Sequence, residues 1–281
     1  MDNLCKKRIA IFLLVSFGIS WLFGFLSFLV DETANPGLST LLSYLCMFGP
    51  ALGNIVARIL TKEGWQNSML KVQWRGNVKY YACAIFIPIL SGLLCSILSA
   101  FCFTGTVSLS VSLFYFLLSI LFLLSSAIVG ATICFGEEFG WRGYLYPKLE
   151  EIFGMGKALI LCNVIWAFWH LPALLSGLNF GRNIFLFPLS NLLLMCLFCI
   201  PMGTMLTFLT KRTGSIYPAV LFHSVNNTVS SGLILFFVTE KEYEHMPVIG
   251  NFLITLIPLA IIFVICVILL YKKQKTVQIN P

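Results

Sequence analysis

Charge is what this sequence has least of. Eleven acidic and eighteen basic residues among 281 leave 10% of positions charged against 59% hydrophobic, whereas soluble domains carry about 25% charged residues. So little polar surface excludes a soluble globular fold. Interruptions are scarce too. No low-complexity tract, clear internal repeat or domain-separating linker breaks residues 1–281, so the chain reads as a single integral membrane domain. Without inverted repeats and paired broken helices, a proton-coupled transporter is disfavoured. No His-Glu-x-x-His run is present, which removes the commonest helical zinc-protease signature.

What the sequence has in abundance is apolar length. Its mean hydropathy is +0.93 and it contains 26 phenylalanines. A helix crossing hydrocarbon needs about 20 apolar residues, and only helices or closed barrels satisfy the backbone there. Long unbroken runs, rather than short alternating ones, select helices. Eight candidate spans result: residues 9–30, 38–60, 80–103, 114–146, 158–178, 184–210, 216–238 and 248–271. The expected fold is all-α and polytopic. The fourth run is too long for a plain span, and Pro147 is expected to end it.

Basic residues set the orientation. All of the 18 except Arg182 and Lys241 fall at one end of these spans, while Asp31, Glu32, Glu240, Glu242 and Glu244 fall at the other. The positive-inside rule then puts both termini in the cytosol and the chain, multi-pass, in the cell membrane. The net charge of +7 follows from this asymmetry and from attraction to anionic headgroups; it carries no nucleic-acid signal. The first span has no small-x-small cleavage site and reads as a retained helix. Ten cysteines, mostly inside apolar runs, read as free thiols. The cytosolic connection 61–79, with Trp65 and Trp74 among Lys and Arg, suits an interfacial segment. The acidic stretch 239–247, with His245, and the turn holding Arg182 read as solvated.

Against this background the stretch Gly136-Glu137-Glu138-Phe139-Gly140-Trp141-Arg142-Gly143 is costly. Ionisable groups in hydrocarbon cost a few kcal/mol or more unless paired or facing water, and are functional candidates. Glu138 and Arg142, four apart, share a helix face and can pair, which is expected to leave Glu137, turned about 100° away, without a partner and able to point into a separate cavity as an acid or base. The fifth span adds Trp166 and His170, with Pro172 two residues on; the seventh adds His223 and Asn227. Four apart, the last two are expected to face the bundle interior together, as donors to a developing oxyanion. Counted from the cytosolic ends at about 1.5 Å per residue, Glu137, His170 and His223 lie about 15, 20 and 17 Å deep. They are expected to meet at one level.

Glu-Glu-x-x-x-Arg at Glu137 to Arg142, an aromatic-x-x-x-His at Trp166 to His170 and His-x-x-x-Asn at His223 to Asn227 together resemble the CPBP intramembrane proteases, also called Abi or type II CAAX endopeptidases. That family includes the eukaryotic enzymes that trim prenylated CAAX proteins and bacterial relatives linked to bacteriocin immunity or processing. The resemblance covers residues 127–227. One departure is Trp166, where the family usually has phenylalanine. The resemblance implies that Glu137 and His170 activate a water, that His223 and Asn227 stabilise the oxyanion, and that Glu138 and Arg142 support the site.

The expected function is therefore endopeptidase cleavage of a peptide or membrane-protein substrate in or beside the bilayer, and the resemblance to the family's bacterial branch implies a bacterial cytoplasmic membrane. The rival reading is a non-catalytic immunity or scaffold protein. A zinc held by Glu137, His170 and His223 with an open water position is one form of the mechanism. A metal-independent glutamate mechanism is favoured here, because Asn227 is a better oxyanion donor than zinc ligand.

Overall fold

The computed structural model describes residues 2–31, 33–107 and 112–279. Glu32 lies outside them, as do the side chains of Glu240, Lys273 and Lys275. Among the described residues every regular element is helical: α1 (Asp2–Ser27), α2 (Pro36–Met47), α3 (Gly49–Leu60), α4 (Val78–Thr104), α5 (Leu113–Gly140), α6 (Tyr146–Trp169), α7 (Leu171–Leu175), α8 (Leu189–Thr213), α9 (Tyr217–Val225), α10 (Glu240–His245) and α11 (Val248–Ile279). Wide π-helical turns follow α5 at Trp141–Leu145 and α9 at Asn226–Ser230, and a 3-10 turn spans Leu233–Phe236. Prolines open α2, α3, α6, α7 and α9, in the first turn, where a missing N–H costs no helical hydrogen bond.

Six helices are long and apolar enough to cross a membrane, seven if the bent pair α2 and α3 forms one span. One of the six, Leu113–Trp169, runs for 57 residues. At 1.5 Å per residue that is about 85 Å, far beyond one bilayer core of about 30 Å. Gly154, at φ 74° and ψ 166°, breaks it into two helical stretches, so six or seven spans stand where hydropathy suggested eight. Pro147 does not end the fourth span as expected. It sits in the first turn of α6, just after the π-helical turn has changed the hydrogen-bond register, and glycine supplies the break because only it takes positive φ without steric cost. The fifth span ends earlier than expected, at Trp169, and turns through His170 into α7.

Small residues bring helices together. A Cβ on Gly49 would stand 2.0 Å from Ser20 Oγ and one on Gly53 2.1 Å from Ser16 Oγ, so α1 and α3 pack almost backbone to backbone, a seam typical of membrane helices. Gly140, at the end of α5, lies equally close to Pro50 of α3. α9 packs on α5 and α4, and α6 on α8. The largest core cluster gathers Trp141, Trp166, Trp169, Met202 and Leu206. All ten cysteines are free, including Cys196 and Cys199, three apart on α8.

At the basic end, the 61–77 connection is clamped to the helices. Arg58 donates to Asn54 Oδ1 at 2.7 Å, to the carbonyl of Gly64 at 2.8 Å and to that of Asn67 at 3.2 Å, and Asn54 Nδ2 donates to the Phe139 carbonyl at 2.7 Å. Trp65 and Trp74 stay exposed, as an interfacial segment requires. At the acidic end Thr239 caps α10 in a reciprocal capping box with Glu242, and His245 Nδ1 bonds the Lys241 carbonyl at 2.7 Å.

Candidate active site

The two carboxylates sit at the end of α5, both buried, where the helix widens into its π-helical turn. Such turns recur at functional sites because the extra residue re-aims the side chains around it. Glu138 Oε1 accepts from Arg142 Nη1 at 3.2 Å, with both side chains fully buried. The same oxygen accepts from His223 Nδ1 at 2.9 Å, so a single carboxylate oxygen joins α5 to α9. A carboxylate can only accept here, so Nδ1 of His223 carries the hydrogen and Nε2 points away from Glu138.

Glu137 faces a different neighbour. Its Oε2 accepts the indole N–H of Trp166 at 2.7 Å. The expectation of a partnerless Glu137 is therefore corrected: helical phasing separates it from Arg142, but the opposing helix supplies a donor that spacing within α5 cannot reveal. Trp166 is the hub of the site. The Arg142 guanidinium lies over its face with the central carbon 4.1 Å from the ring centroid, and the rings of His170 and His223 lie 5.6 and 5.5 Å from it. Phenylalanine at this position would pack but could not donate to Glu137.

His170 follows α6 directly and is half-buried. Its Nδ1 lies 2.8 Å from the Trp166 carbonyl. Because a carbonyl only accepts, Nδ1 again carries the hydrogen and Nε2 presents a lone pair in the neutral ring. The Trp169 ring, 4.8 Å away and nearly perpendicular, braces the imidazole. Both site histidines thus have one nitrogen fixed by a structural acceptor and the other left for chemistry.

Asn227 departs from expectation. It is exposed, and its Oδ1 accepts from Asn226 Nδ2 at 3.3 Å; it does not share the buried face of His223. Spacing of four superimposes residues only in an α-helix, and the chain leaves α-helical geometry at Asn226, where each turn takes in more residues. Glu137, Glu138, Arg142, Trp166, His170 and His223 form one cluster, with Asn227 outside its buried part.

Two residues that complete the cluster escape a reading by motif. Asn163, buried on α6, accepts from Arg142 Nη2 at 3.2 Å. Its signal was an amide in an apolar helix three residues before Trp166. Gly203 on α8 makes room for that pair: a Cβ there would stand 1.8 Å from Asn163 Oδ1 and 2.4 Å from Arg142 Nη2. Nothing in the local sequence marks it.

Among the described residues no three His, Cys, Asp or Glu side chains gather into a set able to hold a metal ion. Glu137, His170 and His223 are not drawn together into such a set as they stand.

The chain is similar to known proteins over part of its length. CAAX prenyl protease 2 of Methanococcus maripaludis is 33% identical over 131 residues, which cover 46% of this chain and 45% of that protein; the chain thus matches about half the length of its relative. Residues 119–229 match the type II CAAX prenyl endopeptidase Rce1-like family, and this segment holds Glu137, Glu138, Arg142, Asn163, Trp166, Gly203, His170, His223 and Asn227. Through that segment the chain is similar to the Rce1-like type II CAAX prenyl endopeptidase family.

Proposed function

We propose that the chain is an intramembrane endopeptidase that hydrolyses a peptide bond in or near the bilayer. The observation that carries this reading is the division of the polar cluster into two parts joined by Trp166. Glu137 and His170 both lie against Trp166, and His223 is held by the Glu138–Arg142 pair.

Glu137 takes a proton from a water that His170 Nε2 helps to orient, and the hydroxide attacks the scissile carbonyl. The tetrahedral oxyanion accepts a hydrogen bond from His223 Nε2, which can donate there as an imidazolium whose charge Glu138 balances. Asn227, at the exposed edge one turn on, adds its amide from the substrate side. Glu137 then returns the proton to the departing amine, leaving a carboxylic acid and an amine, between which the acid proton passes to give carboxylate and ammonium. Arg142 and Asn163 hold Glu138, and Trp166 holds Glu137. The substrate is a peptide or membrane protein that reaches the site from the cytosolic side, and the similarity to CAAX prenyl protease 2 of Methanococcus maripaludis makes prenylated C-terminal peptides the first probe.

Purified protein in lipid nanodiscs tests the reading. Glu137→Gln, His170→Ala and His223→Ala are each expected to lower peptide cleavage by about 10² to 10⁴-fold while melting near the parent temperature. Folded variants that cleave at the parent rate would show that the cluster does not perform the hydrolysis. A chelator is expected to leave the parent rate unchanged; loss restored by zinc would overturn the metal-free mechanism.

A further inference from the structure

An open groove of about 880 Å³ lies where α1 and α8 approach α6, and no residue of the polar cluster lines it. Leu13, Phe17 and Trp21 of α1, Val164 and Phe168 of α6 and Leu192 of α8 form most of its surface, and no charged or hydroxyl-bearing side chain is among its lining. The rings of Phe17, Trp21 and Phe168 pack on one another at 5.3, 5.4 and 6.2 Å, so the protein's own packing fixes its shape. Water or another polar molecule would find no hydrogen-bond partner there. The occupant is apolar over this length.

Length narrows the choice. Along α1 the lining runs from Ala10 to Trp21, about 16 Å at 1.5 Å per residue. One leaflet is about 15 Å deep, half of a hydrocarbon core of about 30 Å. A partner's membrane-spanning helix needs a seam about twice as long, whereas an acyl chain ends within one leaflet.

Charge at the basic end narrows it further. Lys7 precedes Ala10 by three residues and Leu14 by seven, and Lys157 precedes Val164 by seven and Phe168 by eleven, spacings that keep a helical residue on one face. Each lysine therefore continues the groove-lining stripe of its own helix toward the headgroups, and Lys6 flanks Lys7. Lys7 and Lys157 are exposed, and neither pairs with an acid among the described residues. Glu151 is directed elsewhere: its carboxylate lies 3.9 Å from Cys5 Sγ, about 160° around α1 from Lys7.

We propose that this groove is the site of one anionic phospholipid, with its acyl chains against Phe17, Trp21, Val164 and Phe168 and its phosphate between Lys7 and Lys157. The site does not depend on the endopeptidase reading.

Native mass spectrometry of the purified full chain, titrated with phosphatidylglycerol or with phosphatidylcholine of the same acyl chains, tests it. The parent is expected to retain one phosphatidylglycerol at concentrations that leave phosphatidylcholine unbound; equal retention of the two would reduce the groove to ordinary lipid contact and overturn the proposal. A lysine near the headgroups strengthens anionic-lipid binding about fivefold, so Lys7→Gln with Lys157→Gln is expected to weaken phosphatidylglycerol binding about 25-fold. Lys71→Gln with Arg75→Gln removes the same charge from exposed positions of the 61–77 connection and is expected to leave binding unchanged; an equal loss there would mean diffuse attraction and no site. Ala10→Trp keeps every lysine, fills the groove beside Lys7 and is expected to abolish the single adduct, whose persistence would place the chains elsewhere and also overturn the proposal. A farnesylated peptide is expected to leave the adduct in place. Displacement of the lipid would assign the groove to substrate instead.

Discussion

Trp166 makes the clearest residue-scale prediction because it does two separable things. Its ring packs under Arg142, and its N–H binds Glu137 at 2.7 Å. Trp166→Phe keeps most of the packing and removes the donor, leaving a buried carboxylate oxygen short of a hydrogen bond, at about 1–3 kcal/mol. The variant is expected to fold with a lower melting temperature and to lose about tenfold in kcat, corresponding to about 1.4 kcal/mol in the barrier, with KM little changed; a matching rise in KM instead would assign Trp166 to substrate binding. Gly203→Ala acts on the other half of the cluster. Its methyl group displaces Asn163 and Arg142, and disrupting a buried ion pair costs about 3–5 kcal/mol. Pairing it with Asn163→Ala removes the closest clash, so the double variant is expected to melt above Gly203→Ala alone. Legibility follows the same division. The Glu138–Arg142 pair is visible in the sequence because both partners lie on one helix face, and the rarity of charge marks them. The bond from Glu138 to His223 is not visible, because 85 residues separate its partners and only the packing of α5 on α9 brings them together.

At the scale of elements, the departures from a plain α-helix are what the sequence hides. Both motif-bearing helices widen just past their key residues, at Trp141–Leu145 and Asn226–Ser230. Hydropathy locates a helix through its average composition and is blind to one extra residue in a turn, which is why Asn227 was expected beside His223 and Pro147 was expected to stop a helix. The first π-helical turn is tied to the basic end of the bundle by Glu63, which accepts from Tyr144 Oη at 3.1 Å and pairs with Arg8 at 3.2 Å and Lys148 at 2.5 Å. Burial acts to raise the Glu63 carboxyl, but the Lys148 hydrogen bond and charge, the Arg8 charge and the Tyr144 hydroxyl outweigh it and hold it below its ordinary value of 4.5. A carboxyl held lower in the folded than in the unfolded state contributes stability that is present above the unfolded value and is lost as pH falls through the folded one. Thermal melts in detergent below pH 4.5 are therefore expected to fall more steeply for the parent than for Glu63→Gln. Parallel curves would mean that the Arg8–Glu63–Lys148 network contributes no acid-sensitive stability.

For the whole molecule, the number of helices and the direction of the chain follow from apolar length and from the one-sided placement of Lys and Arg. How closely the helices approach depends on glycines whose spacing has meaning only against a partner. The seam of Gly49 and Gly53 against Ser20 and Ser16 sets α1 against α3, and α1 also reaches the site: Trp21 Nε1 donates to the Trp169 carbonyl at 3.2 Å, one residue before His170. α1 is thus both a membrane span and a brace for the histidine's anchor. Gly53→Val forces side-chain atoms into Ser16 and the Phe12 carbonyl, which already lies 2.8 Å from the position of a Cβ, and overpacking of this kind costs about 1–3 kcal/mol. Gly18→Val is the matched control, because a Cβ at Gly18 meets nothing within 4 Å. If the seam sets the position of α1, Gly53→Val lowers both the melting temperature and peptide cleavage in nanodiscs, while Gly18→Val changes neither beyond the small helix-propensity cost of valine. Loss of stability with cleavage per folded molecule unchanged would confine α1 to a structural role and remove it from the support of His170.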